Sequence, residues 1–310
     1  MRIVICEFMD SDAVAQLTAR FDVCYDKTLV DRPDDLAREI ANTDALIVRN
    51  RTTVDAILLD RAPKLRVVGR LGVGLDNIDV DACAARGIDV IPATGANAVA
   101  VAEYVIATAM LLLRGAYQST SDVAAGHWPR AALSNGREMA GKTIGLVGFG
   151  GIGRRTGRLA RALGMRAIGF DPQVPPASSI WTDDETSPHT LAEVVSQADV
   201  VSLHVPLIPA THHLIDAARI ATMKAEAILI NTARGGVVDE TAVAAALRAR
   251  KLGGAALDVF DREPLPAGSP LAACPNLILT PHIAGLTCES NRRVSDLVAS
   301  KVAAVLAPAR

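Results

Sequence analysis

The sequence predicts an α/β protein built from two open parallel-sheet domains, one a Rossmann dinucleotide-binding fold and the other a flavodoxin-like domain. Three observations support this. Short, wholly apolar runs alternate with helical patterns, as in βαβ units whose strands are buried on both faces. The 310 residues are enough for two domains. One apolar run, Thr143–Val147, breaks into Gly148-Phe149-Gly150-Gly151-Ile152-Gly153, a G-x-G-x-x-G turn.

The elements follow in order. Arg2–Cys6 is a predicted buried strand, Ser11–Arg20 and Asp34–Ala41 are helices, and Ala45–Val48 is a second strand. Val67–Arg70 is a third, followed by Gly72-Val73-Gly74, and Ile88–Ile91 a fourth. A long apolar helix spans Asn97 to Arg114; Glu103 argues against its being a membrane span. His127–Gly141, broken by Pro129, Asn135 and Gly136, is expected to be a loop crossing between the domains. The nucleotide fold then starts at Thr143. Its first helix covers Arg154–Leu163, and Met165–Phe170 is its second strand. Val200–His204, Ala227–Asn231, Gly254–Leu257 and Leu277–Leu279 are its later strands. A last helix, Thr287–Leu306, is expected to return to the first domain. That places a discontinuous first domain at residues 1–96 plus 286–310 and the dinucleotide-binding domain at 97–285.

The glycine turn specifies a ligand by its chemistry. Gly148 permits the turn, Gly150 lets a pyrophosphate approach the backbone, and Gly153 lets helix and strand pack closely. Gly151 and Ile152 complete the turn before the helix, whose N-terminal N–H groups and dipole suit phosphate. Asp171 ends the second strand about twenty residues on, where an acid accepts from the ribose 2′-hydroxyl of NAD and repels the 2′-phosphate of NADP. Arg154 and Arg155, early in the helix, are the residues able to soften that preference.

Composition narrows the class. Apolar residues make up 50%, charged residues 21%, and the formal net charge is −2. This balance argues against nucleic-acid or membrane-surface binding. Aromatics are only 3%, so the cores must be aliphatic. Five scattered cysteines without a C-x-x-C pair suit reduced thiols and show no metal cluster. The N-terminus turns acidic at Glu7 before a signal h-region forms, so a cytoplasmic location is expected.

Three later strand ends carry chemistry. Arg234 follows Asn231-Thr232-Ala233 and precedes two glycines; a guanidinium there can grip a carboxylate with two parallel hydrogen bonds. Asp258 ends the next strand, and Glu263 follows in its loop. His282 follows the Leu277–Leu279 strand. Histidine is the natural proton donor to a carbonyl oxygen receiving hydride, and a carboxylate beside it orients the ring and favours its acid form. A structural histidine and a loop salt bridge are the alternatives for His282 and Arg234 taken singly. Their recurrence on successive strand ends favours catalysis.

Val48-Arg49-Asn50-Arg51-Thr52, Gly69–Asp79, Gly148–Gly153, His204-Val205-Pro206, Asn231–Glu240, Gly254–Pro264 and Pro281–Gly285 together resemble the D-isomer-specific 2-hydroxyacid dehydrogenases. Within that family they most resemble the catalytic core of the D-3-phosphoglycerate dehydrogenases. The resemblance implies NAD as cofactor and a small 2-hydroxy acid as substrate. Arg234 would bind the carboxylate and keto oxygen, Glu263 would support the histidine, and His282 would be the acid/base. It further implies that the discontinuous first domain is the substrate domain, with substrate contacts at the Val73–Gly74 backbone. Cofactor contacts are implied at Asn97, Asp171, His204, Pro206, Thr232, Asp258 and Gly285, and a homodimer with the Asn97–Arg114 helix near its two-fold interface.

Arg51, at a substrate-domain strand end, is the expected partner of a second substrate anion, with a surface salt bridge as the alternative. The substrate is therefore expected to be dianionic and 3-phosphoglycerate-like, with 3-sulfolactate or malate as alternatives; Ile283-Ala284-Gly285-Leu286-Thr287 departs from the usual phosphoglycerate-enzyme pattern. A non-catalytic NAD-sensing regulator is the rival from another class, and the intact Arg234, Glu263 and His282 argue against it. The serine-sensing C-terminal extension of long phosphoglycerate dehydrogenases is absent from this sequence, so feedback by that route is not expected. His127, His189, His212 and His213 are expected in solvated loops and Asp183-Asp184-Glu185 in a solvated turn. Trp128 is expected at a domain or dimer interface.

Overall fold

The computed structural model describes residues 1–307, without the side chains of Tyr117 and Gln118. In chain order the first elements are β1 (Arg2–Ile5), α1 (Ser11–Thr18), β2 (Asp22–Tyr25), α2 (Pro33–Ile40), β3 (Ala45–Val48), α3 (Ala56–Asp60), β4 (Val67–Arg70), α4 (Val80–Ala85) and β5 (Asp89–Pro92). Next come α5 (Ala98–Arg114), α6 (Thr120–Ala124), β6 (Thr143–Val147), α7 (Gly151–Ala162), β7 (Arg166–Phe170), α8 (Ser179–Asp183), β8 (Ser187–Pro188), α9 (Leu191–Gln197) and β9 (Val200–Leu203). The remainder are α10 (Ala217–Thr222), β10 (Ile228–Asn231), α11 (Glu240–Arg248), β11 (Gly254–Leu257), β12 (Leu277–Leu279) and α12 (Cys288–Leu306).

Two compact units result. The first holds Met1–Asn97 and the chain from Leu286 onward; the second is Ala98–Gly285. The chain therefore leaves the first unit at Asn97, one residue later than expected, and returns at Leu286. His127–Gly141 lies inside the second unit and is not the crossing segment, correcting the expectation drawn from its broken, polar composition.

The first unit is a five-stranded parallel sheet of order β2-β1-β3-β4-β5, the flavodoxin-like order. Its central strands are fully buried because helices cover both faces: Leu46, Val48 and Val68 face one core, Ile47 and Val67 the other. The second core is closed by Val298 and Val302 of α12. A Cβ on Gly69 would lie 2.7 Å from Val298, so glycine there permits helix and strand to touch.

The second unit is a seven-stranded sheet of order β12-β11-β10-β9-β6-β7-β8, parallel throughout. The order reverses between β6 and β9, and ligands of such sheets bind at the carboxyl ends beside that switch point. Aspartates 216 and 239 cap α10 and α11, and Thr190 with Glu193 forms a capping box on α9. Helix α7 instead begins at Gly150 with no side-chain cap.

The acidic turn Asp183-Asp184-Glu185 is not solvated at its centre. Asp184 is buried, accepts hydrogen bonds from Arg154 Nε and Arg158 Nε, and its carbonyl accepts one from Arg161 at 2.9 Å. Two arginines one turn apart on α7 neutralise the carboxylate, and Arg161, on the same stripe, pairs with Glu185. Arg154 is thereby committed within the protein. Trp128 is 77% exposed. No described helix is long and apolar enough to cross a membrane.

Candidate active site

The cofactor residues converge at the switch point. Gly148 has φ +95°, and a Cβ there would fall 2.4 Å from His204 O. A Cβ on Gly153 would fall 2.2 Å from Gly148 O, so the first turn of α7 rests directly on the loop. At Gly150 and Gly151 a Cβ would meet nothing within 4 Å, so open space lies before the helix N-terminus. The Asp171 carboxylate accepts from Phe149 N at 2.7 Å and from Gln173 N at 2.8 Å, tying the end of β7 to the glycine loop. His204 Nε2 is 3.0 Å from Ser202 Oγ, and its buried Nδ1 has no partner. Burial pushes this imidazole down to about 4, which keeps it neutral near pH 7. Pro206 holds the following loop by accepting from Thr211 Oγ1 at 2.6 Å. Thr232 Oγ1 is also buried without a partner. Glycines that exclude side chains, an uncapped helix start and orphaned polar atoms at two strand ends fit a dinucleotide.

Arg234 and Glu263 are set by two interlocked loops. Asn231 braces the first: its Oδ1 accepts from Ala233 N at 3.0 Å and its Nδ2 donates to Arg234 O at 2.9 Å. Gly236 N donates to Asp261 Oδ1 at 2.6 Å, and a Cβ on Gly235 would fall 1.8 Å from Phe260 O. Glu263 Oε1 accepts from Phe260 N at 3.1 Å, while Oε2 lies 2.8 Å from His282 Nδ1. That contact fixes the imidazole so that Nε2 is presented outward, the orientation general acid–base chemistry needs. Asp258 is buried and accepts from Thr280 Oγ1, Ile283 N and Ala284 N at 2.6–2.8 Å. The structure thus brings Arg234, Glu263, His282 and Asp258 to consecutive strand ends of one sheet, and Gly285 closes that segment.

In the first unit, Arg51 is exposed and ion-paired with Asp31, whose carboxyl it holds below the usual range. In this structure Arg51 makes the surface salt bridge named as the alternative to a substrate contact. Arg49 was missed as a candidate. Its guanidinium is half-desolvated beside Phe8, donates to Asn291 Oδ1 at 2.8 Å and has no carboxylate within salt-bridge distance among the described residues. Burial lowers its pKa, opposed by the charge of Glu7. Glu7, also missed, is buried at the end of β1 and accepts from the backbone N–H groups of Arg49, Asn50, Arg51 and Thr52 at 2.8–3.3 Å. The only sequence signal for it was an acid directly after an apolar strand. The Val73 and Gly74 amides make no hydrogen bond within the chain among the described residues. Asn97 Oδ1 is buried without a partner.

A parallel sheet with a dinucleotide cradle, an arginine and a histidine–carboxylate pair defines a nicotinamide-dependent oxidoreductase. Residues 106–284 match the family model for the D-isomer specific 2-hydroxyacid dehydrogenase NAD-binding domain. A (S)-sulfolactate dehydrogenase of Chromohalobacter salexigens is 56% identical over 300 residues, covering 97% of this chain and 96% of that one. A D-3-phosphoglycerate dehydrogenase of Methanocaldococcus jannaschii is 40% identical over 88% of this chain, which spans 52% of that longer protein. The crystal structure of the TT0316 protein from Thermus thermophilus superposes with a TM-score of 0.88 at 35% identity, covering 99% of this chain and 97% of that one. The chain belongs to the D-isomer-specific 2-hydroxyacid dehydrogenase family and is an NAD-dependent enzyme acting on CH–OH donors.

Proposed function

We propose that this enzyme oxidises 3-sulfolactate, a 2-hydroxy acid with a sulfonate at C3, to the 2-oxo acid. The observation that carries this is the 56% identity, over nearly the full length of both chains, to a protein named (S)-sulfolactate dehydrogenase. The phosphoglycerate relative is less similar, so the expected 3-phosphoglycerate-like substrate becomes the second reading. In the first unit, Arg51 and the partly desolvated Arg49 are the candidate partners for an anionic group.

NAD, when bound, supplies the acceptor for the C2 hydride. Arg234 holds the carboxylate. His282 Nε2 takes the hydroxyl proton as the C–H bond breaks, and returns it to the forming alkoxide in reduction. Glu263, 2.8 Å from Nδ1, holds the ring and balances the positive charge that proton brings. Loss of two electrons and a proton with the hydride, and of the second proton to His282, balances the step. A non-catalytic regulator would not need the paired His282 and Glu263.

The test is a panel of 3-sulfolactate, 3-phosphoglycerate, malate and lactate with NAD and NADP, followed by absorbance of the reduced cofactor. The highest kcat/KM is expected for 3-sulfolactate with NAD; a higher value for 3-phosphoglycerate or lactate overturns the substrate. We also propose a cytosolic homodimer. Exposed Met110, Leu111, Val123 and Trp128 on α5 and the segment after it support self-association, and free cysteines suit a reducing compartment. A monomeric mass by light scattering would refute the dimer.

A further inference from the structure

We infer that Tyr104, on α5, is a positioning residue for the catalytic histidine, acting through Thr280 and Asp258. The inference rests on the role proposed for His282. Three contacts inside the second unit carry it. Thr280 Oγ1 lies 2.6 Å from Asp258 Oδ1 and also 2.6 Å from Tyr104 OH. A threonine hydroxyl has one hydrogen, and a carboxylate oxygen already taking a backbone N–H is an acceptor. Thr280 therefore donates to Asp258, and Tyr104 must donate to Thr280. The order is fixed: phenol to hydroxyl to carboxylate. Burial raises the phenol pKa, opposed by the Thr280 bond and reinforced by the charge of Asp258, so Tyr104 remains a donor at working pH.

Asp258 in turn grips the turn that carries the histidine. Its side chain accepts from Ile283 N at 2.8 Å and Ala284 N at 2.7 Å, and its carbonyl accepts from His282 N at 2.8 Å. His282 has φ +56°, a left-handed conformation uncommon outside glycine, which persists where surrounding bonds over-determine it. The Tyr104 hydroxyl is the point at which this set of bonds is anchored to α5, a helix packed along the sheet's core. Remove it, and Thr280 can rotate, Asp258 loses its fixed direction, and the His282 turn loosens. The imidazole then spends less time at the geometry its Glu263 contact requires.

Tyr104→Phe deletes only the hydroxyl. It should lower kcat about five- to tenfold, the scale of one lost buried hydrogen bond. KM for the hydroxy acid and Kd for NADH, read by fluorescence, should stay within twofold. Thr280→Val should cause a similar loss, Thr280→Ser should restore wild-type kcat, and Tyr104→Phe added to Thr280→Val should lower kcat no further. In the cofactor-free protein, the amides of Ile283 and Ala284 should exchange hydrogen faster in Tyr104→Phe, by more than amides elsewhere in the second unit. Wild-type kcat and exchange in Tyr104→Phe would overturn the inference. So would additive losses in the double variant, or failure of Thr280→Ser to rescue. His282→Ala serves as the separate control: near-normal turnover there would defeat the proposed mechanism itself, whereas a dead His282→Ala beside a fully active Tyr104→Phe defeats the present inference alone.

Discussion

The buried Asp184 should respond asymmetrically to loss of its partners. Its side chain is 0% exposed, whereas Arg154 and Arg158, which grip its two oxygens, are 33% and 55% exposed. Asp184→Ala leaves two guanidiniums that already reach water and can turn outward; the loss should be about 1–2 kcal/mol, discounted for that exposure. Arg154→Leu with Arg158→Leu instead strands a carboxylate away from water, with the Arg161 bond to its carbonyl as remaining support. Breaking a buried pair that way costs about 3–5 kcal/mol, a large part of the roughly 5–15 kcal/mol that holds a domain folded.

The pH response separates the two variants further. In the wild type, burial alone would raise the Asp184 pKa, but the hydrogen bonds and charges of Arg154 and Arg158 outweigh it and lower the value. A depressed carboxyl gives stability above its unfolded pKa and loses it as pH falls through that range. Without the arginines burial acts unopposed and the pKa rises. The penalty is then full at neutral pH and relieved on acidification. Urea unfolding at pH 7 and pH 5 measures this, with Trp181 as reporter: it is buried in the same unit and stacked on Phe149 with centroids 4.2 Å apart. An Asp184→Ala variant as unstable at pH 7 as the double arginine variant, or a double variant that gains nothing relative to wild type at pH 5, would refute the reasoning.

Three further outcomes are expected. Gly153→Ala places a Cβ 2.2 Å from Gly148 O and must push α7 off the glycine loop, which should weaken NADH binding by about tenfold or more; an NADH Kd within threefold of wild type would contradict it. Asp171→Ala should narrow the preference for NAD over NADP by about tenfold in kcat/KM, since Arg154 is already committed to Asp184 and the acid is left to discriminate; an unchanged ratio would remove Asp171 from that role. Glu7→Ala should destabilise the first unit by about 2–4 kcal/mol, because four backbone N–H groups lose one buried acceptor, whereas Arg51→Ala, which breaks an exposed pair, should leave the urea midpoint nearly unchanged.

The central strands were legible because burial on both faces leaves an unbroken apolar run. Ala45–Val48, Val67–Arg70 and Gly254–Leu257 are strands over those bounds, and the edge strand Leu277–Leu279 kept an apolar run although it is only partly buried. The edge strands β2 and β8 escaped notice, since Asp22–Tyr25 is half exposed and Ser187–Pro188 is two polar-context residues long. Helix ends ran short of the apolar pattern, as at α1, which stops at Thr18 instead of Arg20. Of the site, the chemistry-bearing residues on the second sheet were readable from strand ends and the glycine turn. Which arginine of Arg49-Asn50-Arg51 turns inward was not, because β3 ends at Val48 and the regular alternation of side chains ends with it. Nor was Asp184: its partners lie 26 and 30 residues earlier on a helix stripe, and nothing local distinguishes it from a surface acid.

The return of α12 to the first unit has a consequence for biosynthesis. Val294, Val298 and Val302 close one face of a sheet whose strands were all made before residue 93, so that face is only partly covered, by Met9 and by Ala13 and Leu17 of α1, while the whole second unit is translated. At roughly 5–20 residues per second the wait is on the order of ten seconds or more. During it the emerging chain exposes a broad aliphatic surface, including Ile3, Ile5, Ile47 and Val67, at the stage when nascent proteins most readily stick to one another. The second unit, continuous in sequence, can meanwhile fold as a whole. The newborn enzyme therefore acquires its nucleotide cradle first, and its early dependence on chaperones is set by the sheet that was synthesised first and finished last.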